Sequence, residues 1–227
     1  GLCIGIGLIV MGCLLSHGII TVKDRDRIVT VKGLAEREVK ADRVIWPLVF
    51  KEIGNDMTSI YNAVNKKNEI VCDFLKNNGI NENEISIAAP QIIDMRAERY
   101  ANNNEIPYRY NVTSVITVTS NQIDKVRELI SRQVDLLKQG VAIIDGDYRY
   151  TTQYSFTGLN DIKPEMIEEA TVAARLAAEK FAKDSDSKLG KIRRANQGQF
   201  VISNRDENTP YIKEVRVVTT IDYYLKD

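Results

Sequence analysis

Imidazole is almost missing from this chain: its single histidine, His17, falls inside an uncharged N-terminal stretch. Triads and dyads that need a histidine base are therefore excluded from everything downstream, and so are zinc sites built on Cys and His. Cysteine is nearly as scarce. Of the three, Cys3 and Cys13 share the uncharged stretch, which leaves Cys72 alone in the domain and no disulfide within it. Cys72 sits in an apolar helical run from Ile70 to Leu75, the setting of a buried structural thiol rather than a reactive one. Net charge is lacking too. Lysines plus arginines number 31 and so do aspartates plus glutamates, so no basic excess draws the chain to nucleic acid. Glycines are dispersed as turn and strand punctuation, and none builds a phosphate loop between a strand and a helix. No cofactor and no metal is expected.

What is present at the N-terminus is length without charge. From Leu2 to Ile20 the chain carries no Asp, Glu, Lys or Arg, and about 19 residues at 1.5 Å each give about 28 Å of helix, close to a hydrocarbon thickness of roughly 30 Å. Residues 1–22 therefore read as a transmembrane signal-anchor, with the bilayer as a partner, and residues 23–27 as a charged linker. A cleavable signal would be shorter and end in a small-x-small site, which is not found before Lys23. The competing reading is a lipobox at Val10-Met11-Gly12-Cys13, in which Cys13 would be lipidated. Lys23, Arg25 and Arg27 alone would place the domain in the cytoplasm. Gly1 is not an initiator, so a basic cytoplasmic leader is expected ahead of it, and the domain is placed on the outer, periplasmic side of the inner membrane. His17 reads as an interfacial residue snorkelling to water.

From residue 28 the pattern changes to alternating strands and amphipathic helices. Residues 28–40 alternate, with Val29, Val31, Gly33, Ala35 and Val39 on one face and Thr30, Lys32, Glu36 and Glu38 on the other. A second strand, 44–53, contains Pro47 and so needs an edge, a bulge or a strand end. A helix capped by Asn55 or Asp56 follows, with Ile60, Val64, Val71 and Leu75 inward and a stop at Gly79. Strands are expected at 85–95 and 108–119. Next comes a helix over 122–137 carrying Ile123, Val126, Ile130, Val134 and Leu137 as one stripe. A hairpin is expected through Asp145-Gly146-Asp147, joining strands 141–145 and 148–156. Pro164 then reads as a first-turn residue of a helix to about 187, with Ala170, Ala174, Ala177 and Phe181 inward. Strands 191–203 and 211–225 finish the chain. The expected fold is α+β, with two strand-strand-helix-strand-strand halves, about 28–120 and 140–227, joined by a helix and forming mainly antiparallel sheet.

Chemistry is hard to find in this pattern. Glu36 and Glu38 share a strand face and Asp145 and Asp147 flank a turn, the makings of an acid-base pair or a hard-metal site. A solvated strand face and ordinary turn chemistry account for them more simply. Asn111-Val112-Thr113 is a glycosylation sequon, but it falls inside a strand. The least ordinary segment is 94–110, which holds Arg96, Glu98, Arg99, Tyr100, three consecutive asparagines, Pro107, Tyr108, Arg109 and Tyr110. Arg and Tyr gathered on a connection between two strands have the composition of a contact surface. Arg96, Arg99, Tyr100, Tyr108, Arg109 and Tyr110 are the candidate self-association or partner-binding residues, and no catalytic residue is expected.

The run Ile28-Val29-Thr30-Val31-Lys32-Gly33-Leu34-Ala35-Glu36-Arg37-Glu38-Val39-Lys40-Ala41-Asp42 resembles the opening motif of the SIMPL-domain family. In that motif a valine-rich strand with Gly and then Glu leads through a second Val to an Asp. The long first helix, the Gly79 stop, the Ala-rich helix near 164–188 and the last strand extend the resemblance over nearly the whole domain. It implies a bacterial extracytoplasmic α+β domain that forms homo-oligomers, with a mechanistically unexplained role in envelope or oxidative-stress physiology. It supplies no catalytic residues. The function expected is thus a non-enzymatic, membrane-anchored homo-oligomeric envelope protein. The alternatives are a module binding a small molecule or envelope protein through 94–110, and a carboxylate-dependent enzyme.

Overall fold

The computed structural model describes residues 27–97, 107–144 and 146–226, together with 5, 7, 9–16 and 18. Residues 9–16 are helical and exposed, Cys13 among them. Much of the expected span from Leu2 to Ile20, with Cys3 and His17, lies outside the described residues, as does the linker up to residue 26. Among the described residues no helix is long and apolar enough to cross a membrane.

The chain is α+β with antiparallel sheet. In order, the elements are β1 (Ile28–Lys40), β2 (Arg43–Gly54), α1 (Met57–Asn77), a 3₁₀ turn (Glu82–Glu84), β3 (Ile85–Ile87), β4 (Gln91–Asp94) and β5 (Tyr110–Ser120). They continue as α2 (Ile123–Ser131), α3 (Val134–Lys138), a second 3₁₀ turn (Tyr148–Tyr150), β6 (Gln153–Ser155), α4 (Leu159–Asp184), β7 (Lys188–Gln197), β8 (Val201–Asn204) and β9 (Ile212–Lys226). Two compact units result. One comprises residues 40–157 and 206–213, the other residues up to 39 with 158–205 and 214–227. The sheets are thus not divided along the two sequence halves: β1 joins the last strands of the chain, and β2 joins the middle ones.

The unit containing β2 is built on a sheet of order β3-β5-β2-β6, with β4 also paired to β5. Its spine is the β2–β5 ladder, running from Val44 opposite Ser120 to Gly54 opposite Tyr110. Pro47 lies beyond the Arg43–Ile45 stretch that pairs with β6, so its missing N–H costs that ladder nothing. The Asp56 carboxylate accepts from the Ser59 N–H at 2.7 Å and starts α1. Gly79, at φ +83°, follows its end. Ile60, Val64, Val71 and Leu75 are buried as their spacing requires, with Phe74 beside them, against Val44, Trp46, Leu48 and Phe50 of β2 and Val112, Ile116 and Val118 of β5. Burial of each such side chain stabilises by roughly 1.5–3 kcal/mol.

Three expectations for this unit are corrected. The helix over 122–137 is two helices broken at Arg132 and Gln133, and the break shifts the phase: Leu136 is buried while Val134 and Leu137 are exposed. The strand over 85–95 is interrupted at Ala88-Ala89-Pro90, where proline cannot donate to a ladder. Among the described residues no strand forms over 141–144, so the expected hairpin with 148–156 is not found. Asp145 lies outside the described residues, and Asp147 instead caps the 3₁₀ turn, accepting from the Arg149 N–H. The partner of β6 is β2.

The other unit has a sheet of order β1-β9-β7, with β8 continuing beside β9. The strand expected over 191–203 starts at Lys188 and is interrupted at residues 198–200, where Gly198 donates to the Val218 carbonyl at 2.8 Å, whereas the last strand is continuous. α4 covers one face with Met166, Ala170, Ala174, Ala178 and Ala182, all buried at a strict spacing of four. Such a row winds about 40° per step around a helix of 3.6 residues per turn, so Ala177 and Phe181, expected inward, fall on the flank, and Phe181 is 60% exposed. α4 begins at Leu159 rather than at Pro164, which sits inside the helix and leaves the Asn160 carbonyl without its usual N–H.

Candidate functional site

Two strands meet at the root of the 94–110 connection. Asp94, the last residue of β4, stands opposite Tyr110, the first of β5. The Met95 N–H donates to the Arg109 carbonyl at 2.7 Å. The Arg109 guanidinium grips the Asp94 carboxylate twice, from Nε at 3.0 Å and Nη2 at 2.8 Å, and lies 4.9 Å from the centre of the Tyr110 ring. The guanidinium, acting first through these hydrogen bonds, holds the Asp94 carboxyl below the usual carboxylate range. Asn55, just after β2, ties in the other arm: its Oδ1 accepts from the Arg109 N–H at 2.8 Å and its Nδ2 donates to the Pro107 carbonyl at 3.3 Å.

The six candidate residues therefore divide. Arg109 and Tyr110 form the frame of the root, Tyr110 packing against the core. Arg96 and Tyr108 are exposed on its two arms. Arg99 and Tyr100 lie outside the described residues, as do Glu98 and the three asparagines.

Beside the root is a feature the sequence reading passed over. Ile93 of β4 and Ile53 of β2 both stand opposite Asn111 of β5, making one row across the sheet. Glu52 in the neighbouring row reaches Lys67 of α1, so the Ile53-Asn111-Ile93 row lies on the face away from the helices. Ile53 and Ile93 are 55% and 43% exposed, and Asn111 Oδ1, buried between them, accepts no hydrogen bond among the described residues. The adjacent Ile92-Ile93 pair in a strand without alternation was the available signal. Its meaning depended on a pairing register that is not local.

The carboxylates raised as an acid-base pair are occupied separately. Glu36 contacts Arg216 and Glu38 contacts Arg205, each at 3.3 Å, on the exposed face of β1. Asp42 accepts the Thr157 N–H at 2.8 Å and its hydroxyl at 3.0 Å. Asp147, gripped by Arg149 through side-chain and backbone hydrogen bonds, has its carboxyl lowered to about 2. A shallow hollow of about 590 Å³ along the flank of α1 that faces β3 is lined by Asn68, Cys72, Asp73 and Ile87, among others. Burial there pushes the Cys72 thiol up, away from the reactive thiolate. Among the described residues no cluster of three or more His, Cys, Asp or Glu could hold a metal ion.

A comparison with curated proteins finds no match. The family model SIMPL, described as a protein of unknown function (DUF541), matches residues 29–220, from the valine-rich first strand into the last. With a match that spans both units and nearly every described element, the chain belongs to the SIMPL family.

Proposed function

We propose that this chain is a non-enzymatic structural protein of the cell envelope, anchored by the stretch from Leu2 to Ile20, whose extracytoplasmic domain assembles with copies of itself. The observation that carries the self-assembly is the apolar row Ile53-Asn111-Ile93 beside the firmly built root of the 94–110 connection, with Tyr108 and Arg96 exposed next to it. Exposed isoleucines on a sheet face, next to Tyr and Arg on a fixed frame, have the make-up of a contact centre. The non-catalytic part of the reading is supported by carboxylates that stand on an exposed face, each with its own cation or backbone donor. The anchor rests on the uncharged length of the N-terminal stretch, and the outward placement on the family resemblance.

Mass photometry of the full chain in mild detergent tests this directly. A discrete multimer is expected, and a strictly monomeric particle at micromolar concentration would overturn the reading. Joint substitution of Ile53, Ile93 and Tyr108 by Ser is expected to reduce the size of the assembly.

A further inference from the structure

β1 is an edge strand, with β9 its neighbour in the sheet. The Leu225 N–H donates to the Arg27 carbonyl, Thr30 reaches Asp222, and Glu36 reaches Arg216. These contacts set β1 antiparallel to β9 with residue 27 turned toward it. Successive residues of a strand turn their backbone groups to opposite sides, and the burial of β1 alternates through Val31, Gly33 and Ala35. Thr30, Lys32, Leu34, Glu36 and Glu38 therefore direct N–H and C=O to the outer edge, where no strand pairs among the described residues. An unpaired edge of this length invites another strand.

We infer that this edge pairs with the same edge of a second copy, about a two-fold axis passing through Leu34. The charge sequence selects the register. With Leu34 opposite its own counterpart, Lys32 faces Glu36 of the second copy and Glu36 faces its Lys32, so two opposite-charge cross-strand pairs flank a Leu-Leu contact. On the helix side Gly33 meets Ala35 and Val29 meets Val39. Moving the axis two residues toward the N-terminus sets Lys32 against Lys32, and two residues the other way sets Glu36 against Glu36. Moving it by one places Leu34 opposite a charge.

A second observation points to the same edge. Arg37 of β1 binds Glu165 and Glu169 of α4, which places the row 165, 169, 173, 177, 181 on the β1 side of that helix. Toward its C-terminal end this flank is apolar, with Ala173 and Ala177 half-buried and Phe181 and Leu176 each 60% exposed. Pairing two β1 edges continues one sheet and lays two α4 flanks side by side, which covers this surface. The contact is independent of the 94–110 connection.

Two single variants of the full chain in detergent, analysed by sedimentation velocity, test it. The K32E chain and the E36K chain are each expected to self-pair roughly tenfold more weakly than wild type, because opposite charges become like charges at two symmetric positions. Mixed in equal amounts, they are expected to pair with each other about as tightly as wild type, because each then meets its complement. A third variant, L34P, removes an N–H that points away from β9 and is expected to abolish pairing while leaving the far-UV spectrum unchanged. Failure of the mixture to pair better than either variant alone would overturn the inference, and so would an L34P chain that folds and pairs as wild type. The Ile53, Ile93 and Tyr108 substitutions leave this pairing intact, so the two surfaces fail separately.

Discussion

A methyl group added at Gly33 would come 1.8 Å from the carbonyl oxygen of Ala170 and 2.5 Å from the backbone nitrogen of Ala174. No rotamer relieves that contact, because both atoms belong to helix backbone. Gly33→Ala is therefore expected to lower the stability of the full chain by about 2–3 kcal/mol in urea unfolding. Adding Ala170→Gly should not rescue it, since the obstructing atom is the carbonyl oxygen and not the alanine methyl. An unchanged midpoint for Gly33→Ala would show that α4 does not seat on this strand. The glycine was visible in the motif as a residue of the inward face. That its neighbour would be the backbone of a helix some 140 residues later was not, because the fit depends on how closely an alanine row lets that helix approach.

At the scale of elements, local chemistry decided starts and stops better than it decided partners. The Asp56 cap and the Gly79 stop of α1 are written in adjacent residues, and both are found. Asp145-Gly146-Asp147 also carries a strong turn signal, yet Asp147 serves a 3₁₀ turn instead of a hairpin. The side-chain and backbone hydrogen bonds from Arg149 depress its carboxyl from the ordinary 3.8 to about 2. A lowered carboxyl stabilises the folded turn above its unfolded value, and that contribution fades as pH falls from about 4 through about 2. NMR titration of the Asp147 carboxyl carbon is expected to show a midpoint near 2, moving toward the ordinary value in an Arg149→Ala chain. A wild-type midpoint near 4 would mean that the ion pair does not form.

At the scale of the whole molecule, the sheets leave large apolar side chains uncovered. Ile53, Ile92 and Ile93 lie on one sheet, Val172, Leu176 and Phe181 on α4, and Ile192 and Val201 on β7 and β8. Replacing Ile53 and Ile93 by Ser is expected to move the thermal midpoint of the domain by only a degree or two, because exposed side chains add little to the stability of a single copy. The same double change should cut the population of the largest assembly severalfold in mass photometry. A large loss of midpoint without loss of assembly would instead make these residues part of the core.

The sequence by itself determined the α+β class, the antiparallel strands, and the span and inward face of α1. These follow from periodicity, caps and composition, all of which are local. The candidate residues Arg96, Tyr108, Arg109 and Tyr110 were legible by type, but their division into frame and surface required knowing which groups Asp94 and Asn55 would hold. Tertiary structure alone decided that β1 lies beside β9, that Ile53 and Ile93 share a row with Asn111, and that α4 rests on Gly33. Each depends on register and close approach between segments far apart in the chain. A pattern of period two or 3.6 shows which face is buried but carries no information about what buries it.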